Sequence, residues 1–346
     1  MRKKLLALSL AFGVTLSLAA CGGNDNNSSN SGGNVSGNAG GNGDTITINI
    51  GHGGAESTAQ QVGCLAMEEY LENTGRFTVN VYPNNSMGSD DELCQMVQNG
   101  SIEMCLANSV IVNYVPDAAV YDMYFTFDDI DAVKDKYSNN GEFIKTIGEK
   151  YTDVGIHLAG FSIHGFRDVT ANKAITSPED LAGLTFRVQQ NEYHILGWES
   201  LGATPTPFAF NELYTALQQG TVDAQENPIE LIYSQKFYEQ QSYITLTNHQ
   251  QQVQQWLVND ALYQSLSEED RTLLDEGIQA GCDAATEYAL SQEAEWTQEI
   301  QDYGCTIVEL TDEQRQAFVD SLKSKNWNRC ALTSIFSRWS DYSWAF

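Results

Sequence analysis

The chain has 346 residues, with 46 acidic and 18 basic side chains and a formal net charge of −28. That acidic excess argues against a nucleic-acid partner and against a polybasic lipid-binding surface, but a cleft can be locally positive on an acidic protein, so an anionic ligand stays open. The length is enough for two lobes, each with its own core.

Arg2, Lys3 and Lys4 form a positive start, and residues 5–18 are an apolar run short for a membrane span. The run ends in Leu18-Ala19-Ala20-Cys21, followed by Gly22 and Gly23. Small residues before a cysteine suit a lipoprotein signal peptidase, so residues 1–20 read as a signal peptide and Cys21 as the lipidated residue. Its removal takes away three bases and no acid, bringing the charge to about −31. Residues 22–44 are Gly, Asn and Ser with almost nothing apolar, the composition of a flexible tether. No other segment is long and apolar enough to cross a bilayer. The expected location is extracytoplasmic, on the outer face of the cell membrane, held there by the lipid alone.

The globular body starts near Thr45. Residues 45–51 alternate as a strand, 56–73 read as a helix and 76–82 as a second strand. Then comes ELCQMVQNGSIE at 92–103, a helix with Leu93 and Val97 on one face, a glycine stop at Gly100 and an immediate strand. The same unit returns as ELYTALQQGTVD at 212–223, with Leu213, Leu217 and Gly220 in matching places. Its flanks match too: a strand at 184–189, a helix at 192–201 and an extended piece at 203–208. Each half therefore reads strand, helix, strand, helix, strand, which implies parallel strands with helices packed on them. The predicted fold is α/β, two lobes with a ligand cleft between two α/β domains. Lobe I is assigned residues 45–164 plus about 253–292, and lobe II residues 165–252 plus about 293–346. Strands of such lobes present ligand residues at their carboxyl ends. Here those ends fall near His52, 107–109, 187–189 and 225–227.

Ser177, Ser267 and Thr311 are helix starts, the first with Pro178 behind it. Between the last two, residues 268–303 hold one or two long helices whose apolar positions are expected to pack on the outside of the lobes. Cys64, Cys94, Cys105, Cys282, Cys305 and Cys330 are scattered without a CxxC pair, and the histidines His52, His157, His164, His194 and His249 lack metal-ligand spacing. Neither a metal nor a cofactor is expected, and most of these cysteines read as small buried hydrophobes. No GxSxG, Walker or GxGxxG element is present, and paired acids such as Glu268-Glu269 read as a helix's first turn; an enzyme is not expected. Arginine is scarce in the body, and Arg167 and Arg187 lie at the ends of predicted strands. A guanidinium fork fits a carboxylate with two parallel hydrogen bonds. On residue type alone, Arg187 is equally well read as a strand residue alternating outward to solvent.

The run from Gly165 to His249 resembles the DctP-type substrate-binding proteins of TRAP transporters. The matching residues are Gly165-Phe166-Arg167, SPEDLAGLTFRV at 177–188, LGATPTP at 201–207, ELYTALQ at 212–218, VDAQENP at 222–228 and Thr247-Asn248-His249. Tyr82-Pro83 and Met87-Gly88 fit the family's first lobe, and the resemblance covers about 45–310 and implies a two-lobed periplasmic-binding-protein-like fold. It implies that Arg187 makes the bidentate bond to a ligand carboxylate and that Arg167 adds a second contact. It implies that Asn227 hydrogen-bonds the ligand or orders that arginine. It puts His52 and Asn108 where ligand-selecting side chains stand, with Gln190 and Phe208 on loops reaching the cleft. Ala224 replaces a usual glycine, and Val188-Gln189-Gln190-Asn191 follows the arginine strand where a proline is common. Residues 326–346, rich in aromatics such as Trp327, Trp339 and Trp344, depart from the family's closing helices; a shifted reading frame near Asn328 is favoured over a variant end. The implied function is capture of a small organic acid, a sugar acid or a four-carbon dicarboxylate, and delivery to TRAP-type permease subunits. The alternative is a ligand-sensing lipoprotein reporting to a membrane receptor.

Overall fold

The computed structural model describes residues 45–139, 141–325 and 327. The expectations for the signal peptide, for Cys21, for the tether and for positions 326 and 328–346 lie outside them.

Strand β1 (Ile46–Gly51) buries Ile48 and Ile50. Helix α1 (Ala59–Asn73) starts at Thr58, whose side chain accepts from the Gln61 amide, and buries Gly63, Met67 and Leu71 at four-residue spacing. Strand β2 (Phe77–Tyr82) follows. Helix α2 (Asp90–Asn99) opens with a reciprocal capping box between Ser89 and Glu92. It closes at Gly100, whose φ of 75° is the left-handed geometry that the sequence placed there. Strand β3 (Met104–Ala107) is buried throughout. These strands pair in parallel in the order β2-β1-β3.

Two 3₁₀ turns, Ser109–Asn113 and Pro116–Asp122, and helices α3 (Ile130–Lys136) and α4 (Glu142–Thr152) lead to the 16-residue strand β4 (Ile156–Ala171). After the capped 3₁₀ turn Pro178–Leu181, the first pattern recurs. It runs through β5 (Thr185–Val188), α5 (Glu192–Leu201), β6 (Thr204–Pro207), α6 (Leu213–Gln218) and β7 (Ala224–Pro228). These strands pair in parallel as β6-β5-β7. The sequence repeat is thus two βαβαβ halves of the same topology. In the second half the helix is shorter than its sequence twin, because Phe210–Glu212 wind as a 3₁₀ turn first.

Helix α7 (Ile229–Ser234) leads to the 17-residue strand β8 (Tyr243–Asn259). It pairs antiparallel with β4 along most of its length; β8 also joins β3 and β4 also joins β7, so both halves share one nine-stranded sheet. This moves one residue: Arg167 is not at a strand end but inside β4, opposite Pro228 and Gln250.

The stretch after α8 (Asp260–Ser265) is a single 36-residue helix, α9 (Glu268–Tyr303), capped by Ser267 and by Gly304 at φ 119°. Its Leu274, Ile278 and Cys282 join the core under β1, with Ile48 and Ile50, while Trp296 and Ile300 join Leu213 and Phe237 in the second half. Strand β9 (Thr306–Glu309) adds to β8, and α10 (Asp312–Ser324) ends the described helices. Cys64, Cys94, Cys105, Cys282 and Cys305 are buried as thiols.

Candidate ligand-binding site

The loops after β1, β3 and β5 and the strand β7 converge on one pocket between the halves. Its lining includes Gly53, Gln60, Ser89, Asp90 and Asn108 from the first half, and Arg187, Gln189, Gln190, Phe208, Phe210 and Asn227 from the second. The space is narrow: about 20 Å³ is open to the centre of a water-sized sphere, the room of one water molecule.

Arg187, the third residue of β5, is 2% exposed. Its Nη2 donates to the Phe208 carbonyl at 3.0 Å, and its guanidinium lies 5.7 Å from the Phe208 ring centroid and 5.9 Å from that of Phe210. Its Nε and Nη1 are buried and have no hydrogen-bond acceptor among the described residues. Burial pulls its pKa down to about 10, against the pull of the Glu226 and Asp90 charges, so it remains a cation at neutral pH. Two buried donors on one charged group, on different edges of the fork, are left for the oxygens of an anion to meet.

Arg167 behaves differently. It is 1% exposed and its Nε donates to Glu226. Its Nη1 donates to Gln252, and its Nη2 to the Glu226 carbonyl (2.7 Å), Glu226 Oε1 (2.8 Å) and Asn227 Oδ1 (3.2 Å). Burial pushes the Glu226 carboxyl up, but the Arg167 charge and a hydrogen bond from His249 (3.2 Å) outweigh it, holding the group well below the usual carboxylate range. Arg167 is therefore absent from the pocket lining, and its charge is met within the fold. Asn227 joins the two layers. It lines the pocket, accepts from Arg167 and donates to Gln225 Oε1 at 2.5 Å.

Residues 50–329 match the family described as bacterial extracellular solute-binding protein, family 7. The chain belongs to that family. A C4-dicarboxylate-binding periplasmic protein of Rhodobacter capsulatus is 32% identical over 284 residues, which cover 80% of this chain and 84% of that protein. The TRAP periplasmic solute-binding protein of Shewanella oneidensis, solved with bound succinate, superposes with a TM-score of 0.78 at 28% identity, covering 84% of this chain and 100% of that one. The corresponding protein of Anaerococcus prevotii, solved with bound glucuronate, gives 0.79 at 26%, covering 84% and 94%. Family 7 is a family of solute receptors rather than of enzymes. Among the described residues no cluster of His, Cys, Asp or Glu could hold a metal, and no helix is long and apolar enough to cross a membrane.

In this family 7 receptor the pocket gathers five of the seven residues that sequence put there: Arg187, Asn227, Asn108, Gln190 and Phe208. Phe208 contributes its carbonyl to Arg187 as well as its ring. The Gln190 carbonyl accepts from Asn113 Nδ2 across the halves at 3.2 Å. His52 stands outside with Arg167: it is fully buried, its Nε2 bonded to Gln61 at 2.9 Å, and burial lowers its pKa. Gln60, Ser89, Asp90, Gln189 and Phe210 line the pocket without having been singled out from sequence. Ser89 and Asp90 precede the run 92–103 that was read as a helix; they begin that helix in the structure, and its first turn reaches the site. Gln189 adjoins Arg187, and Phe210 follows Phe208 by two.

Proposed function

We propose that this receptor captures a small organic acid between its two halves, through its carboxylate, and delivers it to a TRAP-type membrane permease. One observation carries the reading: the buried Arg187 fork keeps two donors without acceptors on the wall of the pocket. A carboxylate that docks there trades water for charge-assisted hydrogen bonds and supplies what the fold withholds. The succinate and glucuronate held by the two related structures belong to this chemical class. Arg167 acts as a positioning residue, fixing Glu226 and Asn227 behind the ligand. The narrow cavity means that the walls separate for a ligand of several carbons to enter and close on it afterwards, a hinge motion between halves. Residues 1–20 direct export, and a lipid on Cys21 with the 22–44 tether keeps the receptor at the outer face of the membrane.

The test is a thermal-shift screen of the whole chain against sugar acids, dicarboxylates, amino acids and neutral sugars. A ligand that binds only the folded state raises the melting temperature by mass action. One class of carboxylates is expected to do so. Arg187→Ala is expected to weaken that ligand about 100-fold or more, since two hydrogen bonds to a charged group contribute about 3 kcal/mol or more. Near-native affinity in the variant, or stabilisation by uncharged sugars alone, overturns the reading.

A further inference from the structure

The charges that face the pocket are unequal in number to those of a dicarboxylate. Among its lining residues Arg187 is the one cation and Asp90 the one acid. The second buried arginine nearby, Arg167, is already committed to Glu226. Asp90 is the first residue of α2, and its Oδ1 accepts from Asn85 Nδ2 at 3.2 Å. Gly53 makes room for it: a Cβ there would lie 2.5 Å from the same oxygen. The start of α2 offers an incoming anion little, because Asp90, Asp91 and Glu92 occupy its first turn and the Glu92 carboxylate takes the Ser89 amide at 2.7 Å. Burial raises the Asp90 pKa, with Asn85 and the Arg187 charge opposing.

The neutral polar groups ask for something else. Asn108 Oδ1 and Gln189 Nε2 are buried without partners among the described residues, one an acceptor and one a donor, and both residues line the pocket. A hydroxyl can donate to the first and accept from the second. A second carboxylate can only accept, and beside Asp90 it meets a like charge or forces one of the pair to take up a proton.

Resting on the carboxylate reading above, we infer that Asp90 is a specificity-determining residue that turns this pocket against dicarboxylates. The site takes a hydroxylated monocarboxylate, its carboxylate on Arg187 and its hydroxyls on Asp90, Asn108 and Gln189. Selection works by exclusion of the rival as much as by attraction of the ligand.

The experiment compares acids that differ only in a terminal CH₂OH or COO⁻: D-erythronate with meso-tartrate, and D-galactonate with galactarate. Dissociation constants are measured by calorimetry on the whole chain, for the native protein, Asp90→Asn and Arg187→Ala. The native protein is expected to favour the monoacid of a pair by about tenfold or more, and Asp90→Asn to narrow that ratio about tenfold by gaining the diacid. Asp90→Ser, which also removes the charge, should narrow it likewise if Asp90→Asn folds poorly. Equal affinity for both members of each pair, or a ratio unmoved in both Asp90 variants, overturns the role of Asp90 and leaves Arg187 standing. Failure of the native protein to bind any of the four acids overturns the carboxylate reading and this inference together.

Discussion

Arg167 and Arg187 carry the same side chain on strands of one sheet with β7 between them, yet one is spent on the fold and the other is left open. The difference is the acceptor each meets: Glu226, Gln252 and Asn227 surround Arg167, whereas the Phe208 carbonyl is the one hydrogen-bond acceptor for Arg187. Glu226→Ala therefore leaves a buried cation uncompensated, and is expected to destabilise the protein by about 3–5 kcal/mol in urea denaturation. The sign of its pH dependence follows. The folded state holds the Glu226 carboxyl below its unfolded pKa, so the stability it brings is present above the ordinary carboxylate range and is lost as pH falls below it. Glu226→Ala should accordingly flatten the acid limb of the native protein's stability curve. Neither arginine's role could be read from the residue alone. The resemblance implied a ligand contact for both, but the acceptors of Arg167 come from strands 59 to 85 residues away.

Among the elements, those with end signals were legible. Ser267 and Thr311 cap the helices that sequence assigned to them, Ser177 opens a 3₁₀ turn instead, and Gly100 and Gly220, the two glycine stops, lie in the left-handed region. Of the two long strands, β4 was expected only as far as Arg167 and β8 was not legible. In β8 the run His249–Gln252, with Gln254 and Gln255, is at most 3% exposed, so no apolar alternation marks it as a strand. Its amides are met only in the tertiary structure: Gln250 donates to Asp122, Gln251 to the Tyr121 carbonyl, Gln254 accepts from Gln60 and Gln255 from Tyr151. The contact of α1 with α9 depends equally on what cannot be seen along the chain. Gly63 and Gly281 face each other there, and a methyl on Gly281 would stand 2.6 Å from the Trp256 ring and 2.8 Å from the Gly63 carbonyl oxygen. The ring is fully buried and the carbonyl is backbone, so neither can yield cheaply. Gly281→Ala is expected to cost about 1–3 kcal/mol, read as a lowered denaturation midpoint at unchanged slope.

At the scale of the whole molecule, one sheet and one long helix run through both halves, so the halves share a frame although each repeats the same topology. Around the pocket they also meet through polar contacts. Asn191 Nδ2 donates to the Ser109 carbonyl (2.8 Å) and to Asp122 (2.6 Å), and the Ala59 amide donates to Glu230 (3.0 Å). These contacts are between hydrogen-bonding groups whose partners water can replace when the halves open. Tethering belongs to this scale too. Cys21→Ser is expected to release the receptor from the membrane fraction into the soluble fraction without changing its affinity for ligand. Persistence in the membrane would overturn the lipid anchor.

The sequence by itself determined the two repeated halves, their strand and helix order, most caps, the strand that holds Arg187 and the loops that hold Asn108, Gln190 and Phe208. Local periodicity and turn chemistry act over a few residues and are written in consecutive letters. Only the tertiary structure decided that β4 and β8 join the halves into one sheet, that Arg167 is neutralised by Glu226, and that Asp90 faces the pocket. Each depends on partners from distant parts of the chain, and a charged side chain's role is set by which partner reaches it in a buried place where the alternatives are costly.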